Sequence, residues 1–321
     1  MNTNKKILLT GSTGFVGSAL QQQILASNKY SLTVAVRRAV DVPANVRAVQ
    51  VTDLTATTDW SDALQNIDAV IHSAARVHVM NDTSADPLAE FRKVNVDGTL
   101  ALAKQAVAAG VKRFVFVSSI KVNGEGTVLG KPYTADDEAN PSDPYGVSKY
   151  EAEQALLALS EETGLEVVIV RPVLVYGPGV KANFRSMMKW VSRSVPLPLG
   201  AIHNKRSLVA LDNLVDLILT CVEHPAAVNQ VFLASDGNDL STTQMLQQLG
   251  VALAKPARLL PIPMNWLNFA FTVLGKKSFT QRLCGSLQVD ITKNQQLLGW
   301  VPPVSVEDAM RKTAEAYLSE E

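Results

Sequence analysis

Two cysteines, Cys221 and Cys284, in a chain of 321 residues leave no disulfide framework and no C-x-x-C pair. That scarcity suits a reducing compartment, so a cytoplasmic protein is expected. The four histidines, His72, His78, His203 and His224, stand at no metal-ligand spacing, and no catalytic metal is expected. Aromatic residues make up 6%, and none lie in a basic patch of the kind that binds nucleic acid. Neither sign of charge dominates, with 30 Lys and Arg against 30 Asp and Glu. This balance removes any general attraction to nucleic acid or to an anionic membrane. No uninterrupted apolar run is long enough to span a bilayer. The nearest, Leu259 to Gly275, is broken by two prolines and two asparagines and reads as a buried or surface-lying helix. The opening MNTNKKILLTGST turns glycine-rich after a brief apolar run and does not read as a signal peptide.

Apolar residues, at 47%, suffice for a large core in a chain of this length. KILLT at Lys6–Thr10 predicts a short buried strand; SLTVAVR, RAVQV, DAVIHSAA, RFVFVSS and LEVVIVRP predict five more. PLAEFRKVNVDGTLALAKQAVAAG predicts one long helix ending on Gly110. DPYGVSKYEAEQALLALSEETG predicts another, with Asp143 as N-cap and Pro144 at its first position. Apolar strands alternating with helices imply an α/β fold: a doubly wound parallel sheet, covered on both faces, with ligands at the carboxyl ends of the strands. After Pro172 the pattern loosens into proline- and glycine-rich stretches. SLVALDNLVDLILTCVEH and QVFLAS predict a helix and a strand returning to the sheet. The expected organisation is a sheet domain over 1–171 with a returning segment near 207–235. A smaller, discontinuous domain would be built from 172–206 and 236–321.

Gly11, Gly14 and Gly17, in TGSTGFVGSAL, fall between the first strand and the first helix. Glycine lets the backbone turn tightly and approach a pyrophosphate, while the helix N-terminus offers free N–H groups and partial positive charge. The spacing is G-x-x-G-x-x-G; its strand–turn–helix setting is what points to a dinucleotide. Arg37 and Arg38 follow the second strand, at the position beside the adenosine ribose. An acid there would bond the 2′-hydroxyl, whereas a guanidinium fork matches a 2′-phosphate. The pair argues for NADP(H) over NAD(H); the plain alternative is two solvated arginines at a strand end. Asp53 and Leu54 follow the third strand, where the carboxylate could accept from the adenine amino group or be an ordinary loop aspartate.

Tyr145 and Lys149 form Y-x-x-x-K, one turn apart on a predicted helix and so on one face. A cation near a phenol favours the phenolate and lowers its pKa from about 10. Such a tyrosine exchanges protons near neutrality. Ser119, just past the fifth strand, has a hydroxyl that could steady the same substrate oxygen. Alone, Y-x-x-x-K also arises by accident; the glycine turn and the serine-ended strand give it its context. His72 ends an inner strand and reads as a structural histidine.

TGSTGFVG, Asp53–Leu54, HSAA, NVDGT, Ser118–Ser119, YGVSK and RPVLVYGPG occur in an order that resembles the extended short-chain dehydrogenase/reductase family. Its sugar-nucleotide epimerases, dehydratases and reductases are the most similar in layout. The resemblance implies a Rossmann cofactor domain, with the cofactor held by Gly11, Thr13, Gly14, Phe15, Val16, Gly17, Arg37, Arg38, Asp53 and Leu54. It further implies that Ala74, Ala75 and Arg76 line the cofactor and that Pro172 and Val173 lie near the nicotinamide. Ser119, Tyr145 and Lys149 become the catalytic triad, Tyr145 and Lys149 also touch the cofactor, and Ser118 becomes structural. Asn183 and Arg206 match positions on the diphosphate of a UDP-sugar substrate, and Arg282 is a further cationic contact. Taken singly, an asparagine at a helix start and an arginine before a strand are ordinary surface residues. The family's homodimer would pair the helices around Leu88–Ala109 and Pro144–Thr163 in a four-helix bundle.

The resemblance runs furthest toward bacterial reductases of UDP-4-keto-6-deoxy-N-acetylhexosamines. The expected reaction is NADPH-dependent reduction of the C4 keto group, for surface polysaccharide (O-antigen). A UDP-hexose or UDP-N-acetylhexosamine 4-epimerase with bound NAD is the alternative, and a reductase of non-sugar carbonyls a second. A dehydratase is disfavoured, because Ile120 and Lys121 follow Ser119 where an acidic pair is expected.

Overall fold

The computed structural model describes residues 4–77, 86–264, 266–267 and 283–320. His78, Arg282 and the later part of the apolar stretch, 268–275, lie outside the described residues, as does residue 265. The chain opens with strand β1 (Lys5–Thr10), helix α1 (Phe15–Ser27), β2 (Tyr30–Val36), β3 (Val46–Gln50) and β4 (Ala69–His72). Helices α2 (Pro87–Arg92) and α3 (Thr99–Ala108), β5 (Arg113–Val117), α4 (Pro144–Thr163) and β6 (Glu166–Pro172) follow. Then come β7 (Leu174–Tyr176), α5 (Ala182–Ser192), β8 (Leu208–Ala210), α6 (Leu211–Glu223) and β9 (Gln230–Ala234). Helices α7 (Thr242–Ala252), α8 (Thr292–Leu298) and α9 (Val306–Ser319) follow among the described residues.

Seven strands form one sheet in the order β3-β2-β1-β4-β5-β6-β9, with every neighbouring pair parallel. The first six follow the Rossmann order, so the predicted α/β doubly wound fold is the one observed. Alternate side chains of each strand feed opposite faces. Ile7, Leu9, Ile71, Val115 and Val168 join the core under α1 and α6, whereas Leu8, Val70, Phe114, Phe116 and Ile169 join the core under α3 and α4. Strands buried on both faces read as continuous apolar runs, which is why they were visible in the sequence.

Two predicted elements take a different form. The single helix expected over 87–110 is three pieces, because Lys93–Gly98 is a π-helical turn between α2 and α3. The wider turn carries Gly98, where an added Cβ would lie 2.7 Å from the Leu54 carbonyl oxygen, and turns Asn95 into the core. The stretch expected as one returning helix is β8 followed by α6. β8 pairs with β7 in a separate two-stranded sheet, and only β9 joins the main one.

Beyond the sheet, Tyr176, Phe184, Met188, Leu246, Met310 and Tyr317 share a second core, which draws on chain segments before and after α6 and β9. Residues 285–290 stitch this part to the loop after β5. Thr127 N–H donates to the Ser286 carbonyl at 2.9 Å, and Asp290 N–H to the Tyr133 carbonyl at 2.8 Å. Among the described residues no helix is long and apolar enough to cross a membrane. Cys221 and Cys284 are buried free thiols.

Candidate active site

The predicted site residues of the sheet lie at or beyond the carboxyl ends of its strands, because each strand delivers its loop to the same edge. Gly11 follows β1 with φ +75, a left-handed conformation that a Cβ would strain. Gly17 lies over it: a Cβ there would stand 2.0 Å from the Gly11 carbonyl oxygen. The first turn of α1 therefore rests directly on the loop, and Gly14 supplies an N-cap without a side chain. The first-turn N–H groups, those of Phe15 and Val16 among them, have no helical acceptor. This is a cradle into which a pyrophosphate fits.

Thr13, Val36, Arg37, Arg38, Val40, Thr52 and Asp53 line an open cleft of about 600 Å³ beside that cradle. Both arginines are exposed, and neither guanidinium has a hydrogen bond or ion pair among the described residues. Asp53 is exposed at the cleft and accepts from the Leu54 N–H at 2.8 Å, while Leu54 is buried against Gly98.

After β4, Ser73 Oγ donates to the Thr10 carbonyl at 2.8 Å and ties the loop of Ala74, Ala75 and Arg76 to β1. Asn95 clamps the same loop: its Oδ1 accepts from Arg76 N–H at 2.8 Å and its Nδ2 donates to the Arg76 carbonyl at 3.0 Å. That Nδ2 also reaches Ser148 Oγ on α4 at 3.0 Å. His72 is fully buried, with Nδ1 2.7 Å from Thr10 Oγ1 and Nε2 3.0 Å from Thr99 Oγ1. Burial pushes its pKa down to about 3, so it is a neutral structural histidine, as its position at the end of an inner strand predicts.

Asp143 caps α4, its Oδ1 accepting from Gly146 N–H at 2.6 Å, with Pro144 in the first turn. The helix start is thereby fixed against the end of β5, and Tyr145 meets Ser119. Burial pushes the Tyr145 phenol up to about 12, the Asp143 charge adds to this, and a hydrogen bond with Ser119 works against it. Burial, rather than the Lys149 charge expected from the Y-x-x-x-K spacing, sets the direction, which is upward and not downward. The Lys149 ammonium is drawn inward, donating to the Val117 carbonyl at 2.8 Å and lying 4.3 Å from the centre of the Phe116 ring. Burial brings its pKa down to about 7, against the pull of Glu153.

Pro172 ends β6, and Val173 is buried with its N–H donating to the Ala234 carbonyl at 3.2 Å. Ser118 turns away from the site and donates to Glu153 in the core. Asn183 lies exposed in the first turn of α5, its side chain free of hydrogen bonds among the described residues. Arg206 is held through its backbone by Leu240, the two exchanging N–H···O bonds at 2.9 and 3.0 Å. Its guanidinium is largely desolvated and meets the Gly285 carbonyl at 3.0 Å, with no carboxylate partner among the described residues. Arg282 lies outside the described residues. No group of three or more His, Cys, Asp or Glu among the described residues is arranged to hold a metal. Asn95 belongs to the NVDGT motif but carries no assigned role in the sequence, and Glu153 and Asn123 carry none; a polar residue inside an apolar helical run and a carboxylate one turn after Lys149 are the signals available.

The glycine cradle, the strand-end loops and the Ser119–Tyr145 contact sit within the span 7–234, which matches the model of the NAD dependent epimerase/dehydratase family. The chain belongs to that family. A UDP-glucose 4-epimerase of Vibrio cholerae is 51% identical over 315 residues, covering 98% of this chain and 96% of the relative. Among solved members of the fold, the UDP-glucose 4-epimerase of Thermotoga maritima superposes with a TM-score of 0.76 at 24% identity, covering 98% and 99% of the two chains. A dTDP-glucose 4,6-dehydratase of Streptomyces venezuelae, solved with NAD bound, gives 0.76 at 25% identity over 98% and 97%. Family membership and the NAD-bound relative support a nicotinamide dinucleotide cofactor for this chain.

Proposed function

We propose that the protein is a UDP-hexose 4-epimerase with NAD as its cofactor, acting on UDP-glucose or its N-acetyl counterpart. The observation that carries this reading is the 51% identity, along nearly the whole chain, to the Vibrio cholerae UDP-glucose 4-epimerase. It replaces the reductase expected from the sequence as the leading assignment. In this proposal residues 1–171, with 207–235, hold the dinucleotide, and 172–206 with 236–321 hold the nucleotide sugar. When bound, the cofactor supplies hydride exchange at C4. Tyr145 takes and returns the C4 hydroxyl proton, Ser119 bonds the same oxygen, and Lys149 provides positive charge beneath them. Asn183 and Arg206 receive the diphosphate. Two copies pair along α2, α3 and α4 in the cytoplasm. The test is purified protein incubated with UDP-glucose and with UDP-N-acetylglucosamine, without added cofactor. Formation of the galacto product, with NAD recovered from the denatured protein, is the expected result; neither product forming would sink the epimerase assignment.

One observation favours a second reading. Arg37 and Arg38 stand exposed at the ribose cleft, beside Thr13 and Thr52, where an NAD enzyme is expected to carry an acid. A guanidinium pair there suits NADPH and a reductase of a UDP-4-keto-6-deoxy-N-acetylhexosamine. If that reading holds, replacing both arginines by alanine weakens NADPH binding about 10- to 100-fold and leaves NADH binding nearly unchanged. Fluorescence titration with both cofactors checks this, and equal effects on the two would return the arginines to the solvent.

Arg206→Ala tests the diphosphate contact common to both readings. Loss of a charged hydrogen bond of about 1.5–3 kcal/mol should raise KM for the UDP-sugar about 10- to 100-fold with kcat little changed. UDP should also cease to protect the variant against thermal unfolding. Protection equal to that of the unmodified protein would remove Arg206 from the site and would leave the carbonyl reductase reading in play.

A further inference from the structure

A buried polar network lies beneath Lys149 and takes no part in the mechanism above. Glu153 stands one turn beyond Lys149 on α4 and is fully buried. Arg171, 5% exposed near the end of β6, donates to both of its oxygens, with Nε at 3.0 and 3.2 Å. Ser118 Oγ, at the end of β5, donates to the same carboxylate. The other side of the guanidinium reaches Asn123 Oδ1 at 2.9 Å, and Asn123 Nδ2 holds the Thr134 carbonyl at 3.0 Å. The network thus joins the strand end that carries Ser119, the helix that carries Tyr145 and Lys149, and the strand end that carries Pro172. An ion pair this deep is a poor device for stability alone, because well-packed apolar residues do as well or better.

We propose that Glu153 is a positioning residue that keeps the Lys149 ammonium charged in its apolar seat, with Arg171 setting how much of the carboxylate's field Lys149 receives. This rests on the reading of Tyr145 and Lys149 as the proton-exchange pair. The surroundings of Lys149 leave Glu153 as its one nearby anion among the described residues. From β4 the neutral His72 lies near it, and from β5 it meets the Phe116 ring and the Val117 carbonyl; Arg171 of β6 is paired with Glu153, and the phenol Tyr145 stands one turn before Lys149 on α4. Burial drives the ammonium toward its neutral form, and Glu153 is the charge that opposes this.

The test reads Lys149 directly. Protein carrying lysine labelled with ¹³C at Cε is titrated by NMR, and the Lys149 signal is assigned by its loss in Lys149→Met. Glu153→Gln keeps the shape and removes the charge, and its Lys149 midpoint is expected to fall by about one pH unit or more. Arg171→Gln should move the midpoint the other way, since it leaves the carboxylate undivided. A folded Glu153→Gln variant with an unmoved midpoint overturns the proposal. Should that variant fail to fold, an unmoved or lowered midpoint in Arg171→Gln does the same. No substrate enters the measurement, so failure of both the epimerase and the reductase assays would strike the proposed reaction and leave this result standing.

Discussion

Tyr145→Phe is expected to lower turnover by about 10²- to 10⁴-fold while leaving the fold and cofactor binding intact. The substitution removes one oxygen. The ring keeps its place, with its centre 6.0 Å from that of Phe91, and Asp143 still caps the helix. What is lost is the phenol that meets Ser119 and that the proposed mechanism uses as its proton carrier. At neutral pH the resting phenol is protonated, since burial holds it at about 12. It is a ready donor as it stands, and serving as a base requires the charge around it to change when ligands enter. Ser119 and Lys149 remain in the variant, so the residual rate measures what positioning and electrostatics achieve without the proton carrier. Single-turnover kinetics with equal loading of cofactor separates this from a binding defect. A variant retaining a tenth or more of the turnover would dismiss Tyr145 from the chemistry.

The parallel sheet was legible because its strands are buried on both faces and read as unbroken apolar runs, ILL in β1 and VVIV in β6. The helix start at Asp143 and Pro144 was legible because capping is local chemistry. The π-helical turn was not, because its cause is distant: Gly98 lies against Leu54, and Asn95 reaches back to Arg76. The same limit explains β8, whose three residues read as the start of α6 until β7 offers them a partner. Within the site, Tyr145, Lys149 and Ser119 stood out by type and spacing. Their proton affinities did not, since Lys149 turns toward Val117 and Phe116 and burial governs both groups. Glu153 and Arg171 form a pair 18 residues apart across a helix and a strand, and only the packed structure shows which charge Lys149 has beside it.

The second large effect is expected at Gly17. An added Cβ would lie 2.0 Å from the Gly11 carbonyl oxygen, 2.6 Å from its carbon and 3.0 Å from the Ser12 Cα. All three are backbone atoms, so no side-chain rotation relieves the overlap. The loop cannot simply retreat either. The Gly11 carbonyl accepts from Gly14 N–H at 2.9 Å, and the Thr10 carbonyl just before it is held by Ser73 Oγ at 2.8 Å. Gly17→Ala must therefore lift the first turn of α1 off the glycine turn proposed to hold the pyrophosphate. Overpacking of this kind costs about 1–3 kcal/mol, and the upper end is about 150-fold in cofactor affinity. Gly14→Ala is the control, for its Cβ would meet one atom, the same Gly11 oxygen, at 3.1 Å, a gap that a shift of a few tenths of an ångström opens. Calorimetric titration of both variants with NAD and NADP should find a large loss for Gly17→Ala and less than about a fivefold loss for Gly14→Ala. Equal losses would mean that affinity follows the glycine turn's flexibility; the predicted inequality would mean that it follows the seat of the helix N-terminus, where the partial positive charge available to an anion resides.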